Sequence, residues 1–348
     1  MKYRNRILAF IVLIGSAIGI YFVIQFYAVF FKSNTQFSNA SSYVFIDRDD
    51  TIDSLTVQLA PLLKSVKSFH IVAEKKGYNR NIKSGKFSIV KESNNNTIIN
   101  NLRSKRLLVN VVFNNQERLE NLAGRVAKQI EPDSLVLLEV MRDSIFLKEN
   151  GFNHDNAIAM YLPNSYQFYW HVTPNDFRNK MIKAYHHFWN KKRLEQAKEL
   201  NLSPIEIITL ASIVQKETTK AEESSRVAGV YINRLRKRML LQADPTVIFS
   251  LKKETNNFDT IIRRVLYKDL KIVSPFNTYQ KRGLPPGPIF MPDLATIDAV
   301  LNYEKHNYIY FVANPRQPGY HLFARTVREH NRNKRVYTNW LNKKRLYR

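Results

Sequence analysis

Twenty-five consecutive residues, Ile7 to Phe31, carry no charge, and this run limits the chain more than any other feature does. At about 1.5 Å per residue, a helix of this length crosses a hydrocarbon core of roughly 30 Å with some tilt. Lys2, Arg4 and Arg6 precede it. The positive-inside bias then holds the amino terminus in the cytoplasm and exports everything after Lys32. A cleaved signal peptide calls for an apolar region of only about 7–15 residues that ends in small side chains. This run instead closes on Tyr27-Ala28-Val29-Phe30-Phe31. The expectation is an uncleaved single-pass anchor in the cell (inner) membrane, with residues 1–6 as a cytoplasmic tail, 7–31 as the span and the remainder periplasmic or otherwise extracytoplasmic.

That placement changes the meaning of the charge. There are 54 Lys and Arg against 29 Asp and Glu, a formal +25 of which only three charges precede the span. In a soluble protein such a surface points to nucleic acid. On an exported chain it does not, and nucleic acid is set aside as a partner. The basic stretch Arg332 to Arg348 reads as a solvated helix end facing anionic lipid or wall polymer. The absence of cysteine excludes disulfides, thiolate metal sites and Cys nucleophiles. The eight histidines form no H-E-x-x-H, and there is no G-x-S-x-G elbow or phosphate loop. Neither a metal nor a cofactor is expected.

Beyond a polar tether, 32–42, the pattern is α+β. Tyr43 to Ile46 reads as a strand. Asp50 reads as the N-cap of a helix carrying Ile52, Leu55, Leu59, Leu62 and Leu63 at helical spacing. A turn at Gly85 and a strand through Phe87 and Ile89 follow, then a short helix around Ile98, Ile99 and Leu102. With its Asp-Thr opening and Lys-x-Gly-x-Phe strand, the unit 43–107 resembles a LysM-like module, a type that holds peptidoglycan; the alternative is a plain α+β spacer. Val109 to Phe113 opens the next strand. Residues 117–160 are mostly helical, and Met160 to Trp170 is an aromatic-rich stretch broken by Pro163. Helices run from about Pro174 to Leu200.

Ser203-Pro204-Ile205-Glu206 combines an N-cap, a proline at the first helical position and a capping-box glutamate. In the helix that follows, Ile207, Leu210, Ala211 and Val214 share a stripe. Glu217 falls on its edge, and Lys216 points away. A carboxyl set against apolar neighbours loses solvation, so its pKa rises and it stays protonated near neutrality. That is the state needed in a general acid acting on an ether oxygen. A lone Glu in a last helical turn is also, commonly, a solvated surface group.

The blocks LASIVQKET, VAGVYINRLRKRMLLQADPTVIFSL, SPFNTYQKRGLPPGPIFMPDLATIDAVL, YIYFVANP and HLFARTVREHN occur in that order from Leu210 onward. This succession resembles the endolytic murein transglycosylase (YceG-like) family, with matching blocks over roughly 203–331 inside a catalytic domain of 108–348. The resemblance implies a lyase that cuts peptidoglycan glycan strands internally between MurNAc and GlcNAc, leaves a 1,6-anhydro-MurNAc end and ends nascent strands beside peptidoglycan synthases. The family's catalytic glutamate is the second carboxylate of its A-S-I-[VI]-E-K-E-T block, which carries over to Glu217. Two positions depart from the pattern. Gln215 stands at the first carboxylate position, and Asn164 stands where the family commonly has an acid.

Around Glu217, the polar turn Gln242, Asp244 and Thr246 and the cluster Asn277 and Tyr279 are expected to line the cleft and contact substrate. Asp244 and Asn277 would equally serve as caps or turn braces. Leu284 to Pro288 is stiff enough to form a groove wall, His321 and His330 read as structural, and Thr326 with Glu329 fits a capping box. Two other functions remain open: a non-catalytic wall-binding scaffold that recruits synthesis enzymes, and a hydrolase that uses water with Asp244 as a second acid.

Overall fold

A computed structural model describes residues 2–343, so residues 344–348 of the basic stretch lie outside the described residues. The chain is mixed α and β, and it divides into two packed units. The first comprises residues 1–111, 128–132 and 166–173; the second comprises 112–127, 133–165 and 174–348.

The first unit begins with helix α1 (Lys2–Phe31), whose stretch Tyr3–Phe31 has a mean hydropathy of 2.7 in its most apolar window, none of it buried. It is long and apolar enough to cross a membrane. Strands β1 (Ser41–Ile46) and β2 (Gly85–Val90) pair antiparallel from Ser41↔Val90 to Ile46↔Gly85. Alternate residues Val44, Ile46, Phe87 and Ile89 face a core shared with helices α2 (Ile52–Leu59), α3 (Val66–Lys75) and α4 (Asn95–Ser104).

Three details differ from the reading of the sequence. The N-cap of α2 is Thr51, because Asp50 instead accepts from the Asp47 amide at 2.8 Å and the Ser54 hydroxyl at 2.6 Å. Leu62 and Leu63 do not extend α2. Pro61 has no amide hydrogen to continue the helix, and the chain tightens into a 3-10 turn at Ala60–Leu62. Helix α3 was not anticipated, although Phe69, Val72 and Ala73 form its buried face. Strand β3 (Leu108–Phe113) pairs with β4 (Asn164–Tyr169), the second of which lies in the aromatic stretch.

The second unit packs short helices around one central helix. Its elements are α5 (Leu119–Ala127), α6 (Ser134–Met141), α7 (Ser144–Glu149), α8 (Pro174–Phe188), α9 (Lys191–Glu199), α10 (Pro204–Glu217), α11 (Ala221–Arg236), α12 (Asp244–Glu254) and α13 (Leu294–Leu301). An antiparallel hairpin of β5 (Tyr310–Ala313) and β6 (His321–Ala324) follows, with α14 (Val327–Lys343) packed on it. Helix α10 is the centre. Every residue from Ile207 to Val214 is buried, so the apolar surface runs around the whole helix rather than along one stripe, as expected where neighbours pack on all sides. Helices α11 and α13 are its main neighbours. Gly229 on α11 allows a close approach: a Cβ there would stand 2.5 Å from the Glu304 carbonyl oxygen.

Candidate active site

Glu217 is the last residue of α10, and the start of that helix is set as the sequence implies. The Ser203 hydroxyl accepts from the Glu206 amide, and the Glu206 carboxylate accepts from the Ser203 amide at 2.8 Å. A cap of this kind contributes about 1 kcal/mol. Thr218 ends the helix. Its hydroxyl donates to Glu223 Oε2 at 3.3 Å, while Glu223 also accepts from the His321 amide at 2.9 Å and bonds the His321 ring at 2.7 Å. The chain just after Glu217 is thereby tied to β6, and His321 is a structural partner in this bond network.

Glu217 opens into a cavity of about 180 Å³ lined by Tyr231, Arg234, Leu241, Gln242, Asp244 and Phe311. It keeps partial access to solvent at the mouth, yet protein surrounds its carboxyl closely. Burial pushes the pKa from an ordinary 4.5 to about 7, with Asp244 adding to the rise and Tyr231 and Arg234 opposing it. The buried Tyr231 hydroxyl donates to Glu217 Oε1 at 2.9 Å. Burial and the adjacent Glu217 hold the Tyr231 pKa well above its ordinary value, so it remains a donor. With Oε1 engaged as acceptor, Oε2 is the oxygen free to carry a proton into the cavity.

Arg234 is held rigidly. Its guanidinium donates to the carbonyls of Ile309 and Leu241, each at 2.7 Å, so it supplies a fixed positive charge beside the carboxyl. Phe311 on β5 packs edge to face on Tyr231, with ring centroids 5.9 Å apart. Sequence reasoning missed all three of these residues. The signal was the i, i+3 spacing of Tyr231 and Arg234 on an otherwise apolar helix face, which puts both on the side of α11 that meets α10.

The five residues expected around Glu217 fall into two groups. Gln242 and Asp244 line the cavity, and the Tyr279 hydroxyl donates to Asp244 Oδ1 at 2.6 Å. Gln242 has a left-handed backbone (φ 51°), a strained state for a side-chain-bearing residue, held by the hydrogen bond its backbone amide donates to the Thr278 carbonyl at 3.1 Å. Asp244 is the first residue of α12 and not its cap, since the N-cap position is Ala243.

Thr246 and Asn277 are fully buried and do not reach the cavity. Thr246 donates to the Ala243 carbonyl at 2.7 Å and meets the Thr278 hydroxyl at 2.8 Å. Asn277 donates to the carbonyls of Leu270 and Ile272 at 3.0 and 2.8 Å. For these two, the substrate-contact reading gives way to bracing. Their polar atoms satisfy the turns behind the cavity, as buried polar groups must.

The two departures from the family pattern also have places. Gln215 donates to Asp293 Oδ2 at 2.7 Å and accepts from the Asp293 amide at 2.6 Å, a pairing that uses both ends of a neutral amide. Asn164 is exposed at the start of β4. Lys216 points away from the site, its ammonium 3.7 Å from the Phe290 ring centre, and burial lowers its pKa.

Residues 44–336 match the model of the YceG-like family. The chain is 29% identical, over 300 residues, to a protein of Bacillus subtilis (strain 168) named endolytic murein transglycosylase; the alignment covers 81% of this chain and 80% of the relative. A Streptococcus pneumoniae protein of the same name is 34% identical over 142 residues, covering 41% of this chain and 25% of the relative. A crystal structure of a YceG-like protein from Listeria monocytogenes superposes with a TM-score of 0.57 at 26% identity, covering 85% of this chain and 99% of that one. The family match spans β1 through most of α14 and so includes Glu217 and every residue lining its cavity: the chain belongs to the YceG-like family.

Proposed function

We propose that this protein is an endolytic peptidoglycan transglycosylase of the lytic type, with Glu217 as its single acid and base. The observation that carries the reading is the Glu217 carboxyl itself: half-buried, raised to about 7, and oriented by Tyr231 in a cavity whose fixed charge is Arg234. The names of the relatives in Bacillus and Streptococcus agree with it.

The chemistry balances with one carboxyl. Glu217 Oε2 gives its proton to the glycosidic oxygen as the C1–O bond of MurNAc breaks and GlcNAc leaves. The resulting carboxylate accepts the proton of the MurNAc C6 hydroxyl as that oxygen bonds to C1. The product is a 1,6-anhydro end, and no water is consumed. An acid with a pKa near the working pH serves both steps. Arg234 stabilises the transient carboxylate, Tyr231 keeps its plane fixed, and the hydroxyl that attacks is already in the same molecule as its target.

In this reading α1 anchors the chain with its amino terminus in the cytoplasm, and the rest of the chain works outside the membrane on nascent strands, whose ends it sets. Residues 43–107 act as a LysM-like wall-holding module. The closed core that helices α2, α3 and α4 build against an antiparallel strand pair supports an independent module there.

The test is digestion of purified peptidoglycan by the full-length chain in detergent, beside Glu217→Gln, with products read by mass spectrometry. Anhydro-ended fragments from the wild type alone are expected. Reducing ends would instead assign a hydrolase with Asp244, which lines the same cavity, as the second acid. Binding to sacculi without cleavage would assign a scaffold.

A further inference from the structure

A second cavity, of about 510 Å³, lies beside the one that holds Glu217, and Asp244 lines both. Arg263, Arg264, Leu266 and Leu270 also line it, together with Tyr279, whose hydroxyl donates to Asp244 at 2.6 Å. Arg263 and Arg264 belong to a stretch without regular secondary structure, and both are exposed. Neither guanidinium forms an ion pair or hydrogen bond among the described residues. Arg178, Arg193 and Arg226, by contrast, each hold a carboxylate at 2.9 Å. In so basic a chain an unpaired arginine alone means little. Two adjacent ones, in the wall of a cavity that shares Asp244 with the Glu217 cavity and is also lined by Leu266 and Leu270, describe a site for a carboxylate attached to small apolar groups.

We propose that this cavity is the subsite for the peptide stem of the glycan strand, with Arg263 and Arg264 holding a free carboxylate of the stem and Leu266 and Leu270 packing on its small side chains. The inference rests on the proposed peptidoglycan substrate and adds which part of it this face selects. A guanidinium matches a carboxylate in plane and in hydrogen-bond spacing, which an ammonium does not. Asp244 fixes the direction of the stem. Its negative charge repels the stem carboxylate toward the arginines, while Asp244 and Tyr279 are left for amide and hydroxyl groups near the sugar. The stem would therefore leave the cleaved sugar on the Tyr279 side of Glu217.

Two assays of the full-length chain in detergent test this. In the Glu217→Gln background, binding of a soluble disaccharide-peptide and of the same disaccharide without its peptide is measured by calorimetry. R263Q/R264Q should weaken the peptide-bearing ligand about tenfold, the size expected for loss of a charge-assisted hydrogen bond, and leave the peptide-free ligand within about twofold. R263K/R264K should recover only part of the loss, because it restores charge but not the fork. On the active protein, R263Q/R264Q should raise KM for stem-bearing strands with kcat kept, and change neither value for strands stripped of stems by an amidase. Equal losses on both ligands, or no loss on either, would overturn the subsite. Discrimination in binding without any cleavage by the wild type would uphold the subsite and remove the catalytic reading instead.

Discussion

Replacing Glu217 by Gln should make the protein more stable, and the gain should depend on pH in a direction set by the site. Burial carries the carboxyl from an ordinary 4.5 to about 7. Between those values the folded protein keeps a proton that the unfolded chain has released. Wild-type stability therefore falls as pH rises through that window, and levels off above about 7, where both states are ionised. At about 1.4 kcal/mol per pH unit, the ionised carboxylate costs the folded state about 3 kcal/mol above pH 7. Glutamine is nearly isosteric, still accepts from Tyr231, and cannot ionise. The stability difference, variant minus wild type, should thus grow by up to about 3 kcal/mol between pH 4 and pH 8, or roughly 6–12 °C in Tm for a unit of this size. Calorimetric unfolding of both proteins across that range measures it. A difference that stays flat with pH, or grows toward acid, would refute the claim that Glu217 is held protonated by burial.

Tyr231→Phe removes the hydrogen bond that opposes the rise in the Glu217 pKa. The alkaline limb of kcat/KM against pH should move upward while kcat falls about tenfold through lost orientation; a limb that moves downward would contradict the assigned bond. Gln215→Glu restores the acid common in the family but sets two carboxylates face to face where Gln215 now donates to Asp293. It should cost about 1–3 kcal/mol at neutral pH, with recovery on adding Asp293→Asn, as urea unfolding would show. Gly229→Ala drives a methyl group against the Glu304 carbonyl. The expected loss is about 1–3 kcal/mol by thermal unfolding, and an unchanged Tm would mean that the helix–loop approach is looser than described.

Much of the fold was legible because its signals are local. The long apolar helix α1, the Ser203–Glu206 capping box and the strands around Val44 and Phe87 depend on residues within a few positions of one another. Errors arose where a local signal had a competitor. Asp50 and Thr51 both qualify as caps, and the hydrogen bonds from Asp47 and Ser54 to Asp50 decide between them. Aromatic side chains around Pro163 masked β4, a strand defined by its pairing with β3. In the site, Glu217, Gln242, Asp244 and Tyr279 were visible as polar residues among apolar runs. Thr246 and Asn277 have the same local appearance, and only burial separates them from the cavity-lining residues.

Local sequence alone establishes a helix, α1, able to span a membrane, the start of α10 at a capped Pro204, and a carboxyl at the end of an apolar helix. All three follow from composition and periodicity along a single segment. Packing between distant segments brings Tyr231 and Arg234 of α11 and Phe311 of β5 onto this carboxyl, desolvates it, and places Arg263 and Arg264 in the wall of the adjoining cavity. A raised pKa is the sum of desolvation and fields from groups far apart in the chain. That sum exists only once the helices have packed.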